Sequence, residues 1–226
     1  MSEAEDDWTG SEIAIVGVSC RFAGAHDAEE LWANLRAGVE SIVRYDDAAL
    51  LAAGVDPAVL ANPSYVKAGG QLPDVDGFDA GFFGFGPKDA AITDPQHRHM
   101  LECAWEALED AGHPPARFPG AIGVFVGCGM NGYFIYNLLR NPEIVASTGT
   151  FLLRHTGNDR DFLPTTVSYK LNLTGPSVAI QTACSTSLVA IHVACQSLLS
   201  RECDLALGGG VTIVVPPGRG YMYNEN

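Results

Sequence analysis

Short apolar runs bounded by turn residues predict buried β-strands along this chain. The clearest is Ile122–Val126, and a second, Ser177–Thr182, follows the turn-forming sequence Thr174-Gly175-Pro176. Similar runs predict three further strands, at Ile13–Gly17, Leu205–Leu207 and Val211–Val215.

Apolar positions three or four residues apart predict helices between these strands. The first helix covers Ala28–Ala37, with Leu31, Trp32 and Leu35 on one face and Gly38 as its C-terminal stop. We predict that this apolar face belongs to the core rather than to a cofactor site.

A longer helix begins at Asp94-Pro95, where an acidic N-cap precedes proline at the first helical position. Leu101, Trp105 and Leu108 form its apolar face, again predicted to be core, and Gly112 ends it. Shorter helical patterns cover Tyr133–Arg140 and Asp161–Lys170.

Alternation of strands and helices predicts an α/β fold in one domain, which we place at residues 11–226. Residues 1–10 form an acidic leader that we predict to be disordered. Residues 41–93 are rich in glycine, proline and aspartate with little sustained period, so they predict a long irregular segment. The chain has no internal repeat and no low-complexity tract.

Cys184 lies where the pattern changes from strand to helix. Leu188, Ile191, Cys195 and Leu198 recur at helical spacing up to about residue 200, so Cys184 is at or just before a first helical turn. A helix N-terminus lowers the pKa of a thiol placed there, and its free amides can stabilise an oxyanion on the group that the sulfur attacks. Spacing alone leaves two interpretations open, a nucleophile and a buried structural cysteine.

The segment around Cys184 resembles the active-site segment of β-ketoacyl synthases, in particular the ketosynthase domains of modular polyketide synthases. Other blocks resemble the same family, in the family's order. The blocks are Ile13–Gly17, Cys20-Arg21-Phe22, Leu31–Leu35, Phe82-Phe83-Gly84, Asp94-Pro95-Gln96, Glu102–Gly112, Gly157-Asn158-Asp159, Ser168-Tyr169, Gly175–Leu188 and Gly208–Val211.

This resemblance implies the N-terminal half of a thiolase-like αβαβα sandwich with Cys184 as its catalytic nucleophile. The implied reaction is a decarboxylative Claisen condensation between a Cys184-bound acyl thioester and a malonyl-type extender. Both substrates would arrive on the phosphopantetheine arm of an acyl carrier protein, and no cofactor would bind directly. The implied partners are that carrier, an acyltransferase domain and a second copy of the chain, paired near the strand Val178–Gln181, in the cytoplasm.

The chain also departs from the family's pattern. Gln181 stands where an acidic residue is common, and Thr166 stands where arginine is usual. Such ketosynthases are roughly twice as long, and the second half carries two catalytic histidines, a lysine and a glycine-rich turn. We therefore interpret the chain as a domain truncated before its C-terminal half, which alone should not condense substrates.

Composition limits the alternatives. With 13 basic and 27 acidic residues the formal net charge is −14, which argues against nucleic acid or an anionic membrane surface as partner. No apolar run is long enough to span a bilayer. The six cysteines are scattered, which favours reduced thiols in a cytosolic protein over a disulfide framework.

Two other functions stay open. One is a noncatalytic dimerisation or scaffold fragment of a synthase. The other, less favoured, is a nucleotide-binding oxidoreductase, because Gly127–Gly132 matches G-x-G-x-x-G after a strand. However, the helix that follows is short, and no acidic residue comes at the expected distance, so a glycine-lined strand-to-helix loop is the preferred interpretation.

Histidines and cysteines elsewhere give no strong signal. His192, Cys195 and Cys203 provide only three ligands without a paired Cys-x-x-Cys, so no metal site is predicted. His192 lies eight residues along the helix from Cys184, about 12 Å of rise, too far to be its base. The remaining histidines are predicted to be surface or structural residues: His26, His97, His99, His113 and His155.

Overall fold

The computed structural model describes residues 10–224. The predicted disorder of residues 1–10 therefore falls almost wholly outside the described residues. Ten helices and seven strands make up the described chain, joined by 3-10 turns at Leu138–Arg140 and Ala183–Ser185. The helices are α1 Ala28–Ala37, α2 Asp47–Ala52, α3 Pro57–Leu60, α4 Pro87–Ile92, α5 Pro95–Asp110, α6 Gly132–Tyr136, α7 Pro142–Thr148, α8 Thr150–His155, α9 Phe162–Leu171 and α10 Thr186–Leu199. The strands are β1 Val43–Arg44, β2 Tyr65–Val66, β3 Ala68–Gly69, β4 Ile122–Cys128, β5 Ser177–Ala179, β6 Leu205–Val211 and β7 Tyr221–Met222.

Strand β4 is the centre of the fold. It pairs in parallel with β5 on one side and with β6 on the other, so the sheet order is β5-β4-β6. The pairing with β6 runs without interruption from Ile122 opposite Leu205 to Cys128 opposite Val211. Every residue of β4 is buried, as expected for a parallel strand covered on both faces.

Helices cover both faces of this sheet. Val124 and Val126 point to a core cluster built with Leu101 and Leu108 of α5 and with residues of α9. Phe125 points the other way, into a second cluster with residues of α10. The alternation follows from the two-residue period of a strand, and it gives three layers: α5 and α9, the sheet, and α10.

Several predicted elements are confirmed. Helix α1 has the predicted bounds and ends at Gly38, whose φ of 66° is the left-handed conformation that glycine adopts without a steric penalty. The Asp94 side chain accepts a hydrogen bond from the backbone N–H of Gln96 and so caps α5. Trp105 packs against the α5 core cluster, as predicted.

The predicted strand Ile13–Gly17 is wrong. Within residues 10–224 no strand pairs with it, and the segment has no regular secondary structure. Gly17 lies instead against the C-terminal end of α5, where an added Cβ would be 2.3 Å from the carbonyl oxygen of Ala107. The Asp110 carboxylate accepts a hydrogen bond from the N–H of Val18 at 2.8 Å. An apolar run becomes a strand only when another strand satisfies its backbone, and here the helix end does so in part.

The predicted strand Val211–Val215 is also wrong. Strand β6 continues from Leu205 through the three glycines to Val211 because β4 pairs with all seven residues. Beyond Val211 the N–H of Ile213 donates to the Gln96 side chain at 3.4 Å rather than to a strand. The glycines at 208–210, which separate the two predicted strands in the sequence, lie inside the single strand β6.

The expected core position of Trp32 is wrong as well. Its side chain is 62% exposed, and α1 has no buried residue. The apolar face of α1 therefore has no covering layer among the described residues.

The segment 41–93 contains more regular structure than its irregular pattern indicated. It includes the short helices α2, α3 and α4 and the two-residue strands β1, β2 and β3. Strand β1 pairs antiparallel with β3, and β2 pairs antiparallel with β7. Elements this short have no sequence period to reveal them.

Candidate active site

The structure places Cys184 where the sequence predicted it, at the start of a helix. It lies in the 3-10 turn Ala183–Ser185, which joins the segment after β5 to α10, and its side chain is exposed. Ala183 has a φ of 54°, a left-handed conformation that costs a non-glycine residue of the order of 1 kcal/mol. The chain therefore turns sharply just before the cysteine and presents its thiol outward.

Hydroxyl groups on both sides of Cys184 hold this turn. The Thr186 hydroxyl accepts a hydrogen bond from the N–H of Thr182 at 3.0 Å. The Ser185 hydroxyl donates to the carbonyl of Thr182 at 2.8 Å. Because these bonds cross the turn in both directions, the three residues fix the backbone that carries the thiol.

A cavity of about 530 Å3 lies in front of Cys184. It forms where the carboxyl ends of β4 and β6 meet the first turn of α10, and Met130, Gln181 and Thr212 contribute to its walls. Ligand sites of parallel α/β sheets lie at this edge. The location and the exposed thiol together meet the requirement of an accessible nucleophile.

Glycine allows α10 to lie this close to the sheet. A Cβ on Gly127 would be 1.8 Å from the carbonyl oxygen of Ile180 and 2.6 Å from the Thr186 side chain. A Cβ on Gly208 would be 3.2 Å from the Cα of Ile191.

The G-x-G-x-x-G match is thus explained by packing. Besides the close approach at Gly127, Gly129 meets the Gln96 side chain and Gly132 meets the backbone of Val215. Helix α6, which follows, has only five residues. The segment Gly127–Gly132 is therefore a glycine-lined strand-to-helix loop, which is the interpretation preferred from the sequence.

Gln96 holds together two segments of chain that contribute residues to the cavity lining. Its buried side-chain oxygen accepts hydrogen bonds from the N–H of Gly129 at 2.9 Å and of Ile213 at 3.4 Å. Its amide donates to the carbonyl of Met130 at 3.2 Å. One side chain at the start of α5 therefore fixes the segments that follow β4 and β6. The sequence offered this residue only as part of a family block, with no sign of this role.

A second cysteine, Cys128, also lines the cavity. Burial, with a smaller effect of Asp94, raises the pKa of the Cys128 thiol to about 12. Cys128 is therefore a neutral thiol at neutral pH, whereas the thiolate is the nucleophilic form. Of the two thiols at this edge of the sheet, the exposed Cys184 is the better candidate.

The departures from the family pattern leave this arrangement intact. With its amide oriented to satisfy both partners, Gln181 donates to the carbonyl of Cys128 at 3.0 Å and accepts from its N–H at 3.2 Å. Gln181 therefore continues the contact between the β5 segment and β4 beyond Ala179. Thr166 is a half-buried residue of α9.

Among the described residues no histidine lines the cavity of Cys184. Among residues 10–224 no histidine forms a hydrogen bond with Cys184, and His192 is exposed on α10. His97 and His99 are buried at the start of α5, so they are not surface residues, and the structural role stays a prediction. Burial lowers the pKa of His97 to about 4, so the ring is neutral at neutral pH.

The described residues contain neither a metal-binding cluster nor a membrane-spanning helix. Within residues 10–224 no group of three or more histidine, cysteine, aspartate or glutamate side chains is arranged to hold a metal ion. The same residues include no helix that is long and apolar enough to cross a bilayer. All six cysteines are free thiols.

Comparison with known proteins identifies the family. The N-terminal domain of the β-ketoacyl synthases matches residues 10–225. The chain is 51% identical over 215 residues to one polypeptide of the phenolphthiocerol/phthiocerol polyketide synthase of Mycobacterium tuberculosis, covering 93% of this chain and 14% of that protein. It is 44% identical over 214 residues to another polypeptide of the same synthase, covering 91% of this chain and 11% of that protein.

Solved ketosynthase structures have the same fold as this chain. The ketosynthase twelve of the bacillaene polyketide synthase of Bacillus amyloliquefaciens superposes with a TM-score of 0.81 at 37% identity, covering 93% of this chain and 36% of that one. The module 1 ketosynthase of the bacillaene synthase, also from Bacillus amyloliquefaciens, superposes with a TM-score of 0.75 at 34% identity, covering 97% and 37%.

The chain belongs to the β-ketoacyl synthase family, whose N-terminal domain it matches over nearly its whole length. Its fold is the N-terminal half of the thiolase-like α/β sandwich. It spans about one seventh of the mycobacterial polypeptide to which it is 51% identical, and about a third of the solved ketosynthases.

Proposed function

We propose that Cys184 is the acyl-accepting nucleophile of a ketosynthase that extends polyketide or fatty-acid chains. The observation that carries the proposal is the exposed thiol at the start of α10, at the mouth of the cavity where β4 and β6 end. The relatives are polyketide synthases and ketosynthases, which supports acyl thioesters as the substrates.

In the first step the Cys184 sulfur attacks the carbonyl carbon of an acyl thioester. A carbon–sulfur bond forms, the carbonyl oxygen carries the negative charge, and amides of the first turn of α10 stabilise it. The intermediate collapses with loss of the pantetheine thiolate, which takes up the proton that Cys184 has lost. Because the first acyl group is held covalently on Cys184, one difficult reaction between two acyl groups is replaced by two easier steps.

In the second step a malonyl-type extender loses carbon dioxide, and its enolate attacks the Cys184 thioester. A carbon–carbon bond forms and the Cys184 thiolate leaves. No histidine among the described residues forms a hydrogen bond with Cys184. We therefore propose condensation for the ketosynthase that contains this domain, and acyl transfer to Cys184 for the domain itself.

The partners follow from the proposed reaction. An acyl carrier protein would deliver both substrates on its phosphopantetheine arm, and an acyltransferase domain would load the extender. A homodimer is compatible with the sheet, because β5 is an edge strand and its outer side has no partner within residues 10–224. Val178 is 40% exposed there.

Acylation of the chain by an acyl-pantetheine thioester tests the proposal. Intact-mass analysis should show one acyl adduct on the wild-type chain and none on Cys184→Ala. Cys195→Ala, which removes a half-buried thiol from α10, the helix that follows Cys184, should label like the wild type. A folded chain that takes no adduct, or a Cys184→Ala variant that still does, would contradict the proposal. The first of these results would favour the noncatalytic scaffold.

A further inference from the structure

Arg160 is the one charged side chain among the described residues that line the Cys184 cavity. It lies just before α9 and faces the thiol's cavity together with Cys128 and Met130. No carboxylate of the described chain lines this cavity. In a chain with a formal net charge of −14, the only charge among the described residues lining this cavity is nonetheless positive.

The Arg160 side chain has no hydrogen-bond or ion-pair partner within the described residues. None of its nitrogens makes a hydrogen bond, and no carboxylate lies within 4.0 Å of it. The adjacent Asp159 is occupied by Arg154, whose Nε donates to both of its oxygens at 3.0 and 3.2 Å. The guanidinium of Arg160 therefore keeps its donors available, whereas that of Arg154 is engaged.

A second cavity, of about 490 Å3, adjoins the first at Arg160. It contains both signs of charge, since Arg154, Asp159 and Asp161 line it with Arg160. Arg160 therefore stands at the boundary between a mixed-charge cavity and the otherwise uncharged cavity of Cys184.

We propose that Arg160 binds an anionic oxygen group of the thioester that approaches Cys184. This inference rests on the proposed function, because it assigns a ligand group to the same site. A guanidinium presents planar donors that match the oxygens of a carboxylate or a phosphate. Both occur on the proposed substrates, as the carboxylate of a malonyl-type extender and as the phosphodiester of the phosphopantetheine arm.

The experiment measures the rate at which Cys184 is acylated by three donors of different charge. Acetyl-pantetheine has no anionic group, acetyl-phosphopantetheine has a phosphate, and succinyl-pantetheine has a carboxylate. The chain is compared with Arg160→Gln, with Arg160→Lys and with Arg117→Gln. Arg117 is an exposed arginine that precedes β4, at the sheet edge opposite the cavity, so Arg117→Gln makes the same change of charge elsewhere.

We expect Arg160→Gln to slow labelling by one anionic donor about threefold to tenfold, the range for a solvent-accessible charge-assisted contact. Arg160→Lys should restore most of the rate, and 0.5 M salt should reduce the difference. Labelling by acetyl-pantetheine should be equal in all four chains, which also shows that the variants are folded. A loss confined to the phosphate donor identifies the phosphodiester, and one confined to the succinyl donor identifies the carboxylate.

Two negative results have different meanings. If every donor labels Arg160→Gln and Arg117→Gln at the same rate, the assignment of Arg160 is overturned while Cys184 keeps its role. If no donor labels the wild-type chain at Cys184, the proposed function has failed, and the assignment of Arg160 fails with it.

Discussion

The sheet region, residues 94–211, and the preceding segment, residues 10–93, use their apolar residues in different ways. In the sheet region β4 is buried along its whole length, with α5 and α9 on one face and α10 on the other. In the preceding segment Ile15 is 81% exposed and Trp32 is 62% exposed. Apolar residues form a core only where other elements cover them, and coverage is a property of the tertiary arrangement.

The largest expected effect tests how closely the sheet region is packed. Gly127→Ala places a Cβ 1.8 Å from the carbonyl oxygen of Ile180, a backbone atom that cannot move without separating β4 from the β5 segment. We expect destabilisation of about 3–5 kcal/mol or failure to fold. Gly209→Ala is the matched control, because its Cβ would meet nothing within 4 Å. It should change the free energy of unfolding by less than about 1 kcal/mol.

Urea unfolding followed by circular dichroism compares the two variants. The same unfolding midpoint for both would contradict the interpretation that glycine at residue 127 sets the distance between α10 and the sheet.

The next effect concerns His97, at the start of the sheet region. Burial lowers the pKa of its ring from 6.5 to about 4. The unfolded chain therefore binds a proton between these two pH values while the folded chain does not. Stability is fully present above pH 6.5 and falls with pH toward 4, by up to about 3 kcal/mol.

Urea unfolding between pH 7.5 and 4.5 measures this loss. His97→Gln should show a smaller loss over that range, and His192→Gln is the control for the same substitution at an exposed position. Burial raises the pKa of Asp94, which acts in the opposite direction, because the folded chain then takes up that proton more readily. Identical slopes for the wild type and His97→Gln would show that the His97 ring does not cause the loss.

The smallest expected effect lies in the preceding segment. Ile15→Ala should change the free energy of unfolding by less than about 0.5 kcal/mol, because the side chain is already in water. Ile122→Ala is the matched control, since this isoleucine is 3% exposed in β4, and it should cost about 2–5 kcal/mol. Equal losses would show that a part of the molecule covers Ile15 in solution.

The sequence predicted the sheet region well and the preceding segment poorly. The caps of α1 and α5, the central strand and the position of Cys184 at a helix start depend on neighbouring residues, so the local pattern contains them. The strand at Ile13–Gly17 failed because a strand needs a partner that no local pattern can provide. The glycines of β6 were misread because their role depends on Ile191 and other residues of α10.

The candidate site also has some features that the sequence predicted and others that only the tertiary structure shows. The residues of the strand-to-helix junction predicted that Cys184 lies at or just before the first turn of a helix, because periodicity acts over a few residues, whereas its exposure stayed open. Only the tertiary structure showed the hydrogen bonds of the buried Gln96 to the segments after β4 and β6, the high pKa of Cys128 and the position of Arg160 at the cavity of Cys184. Each of these depends on atoms from distant parts of the chain, since burial, desolvation and the lining of a cavity exist only after the elements have packed together.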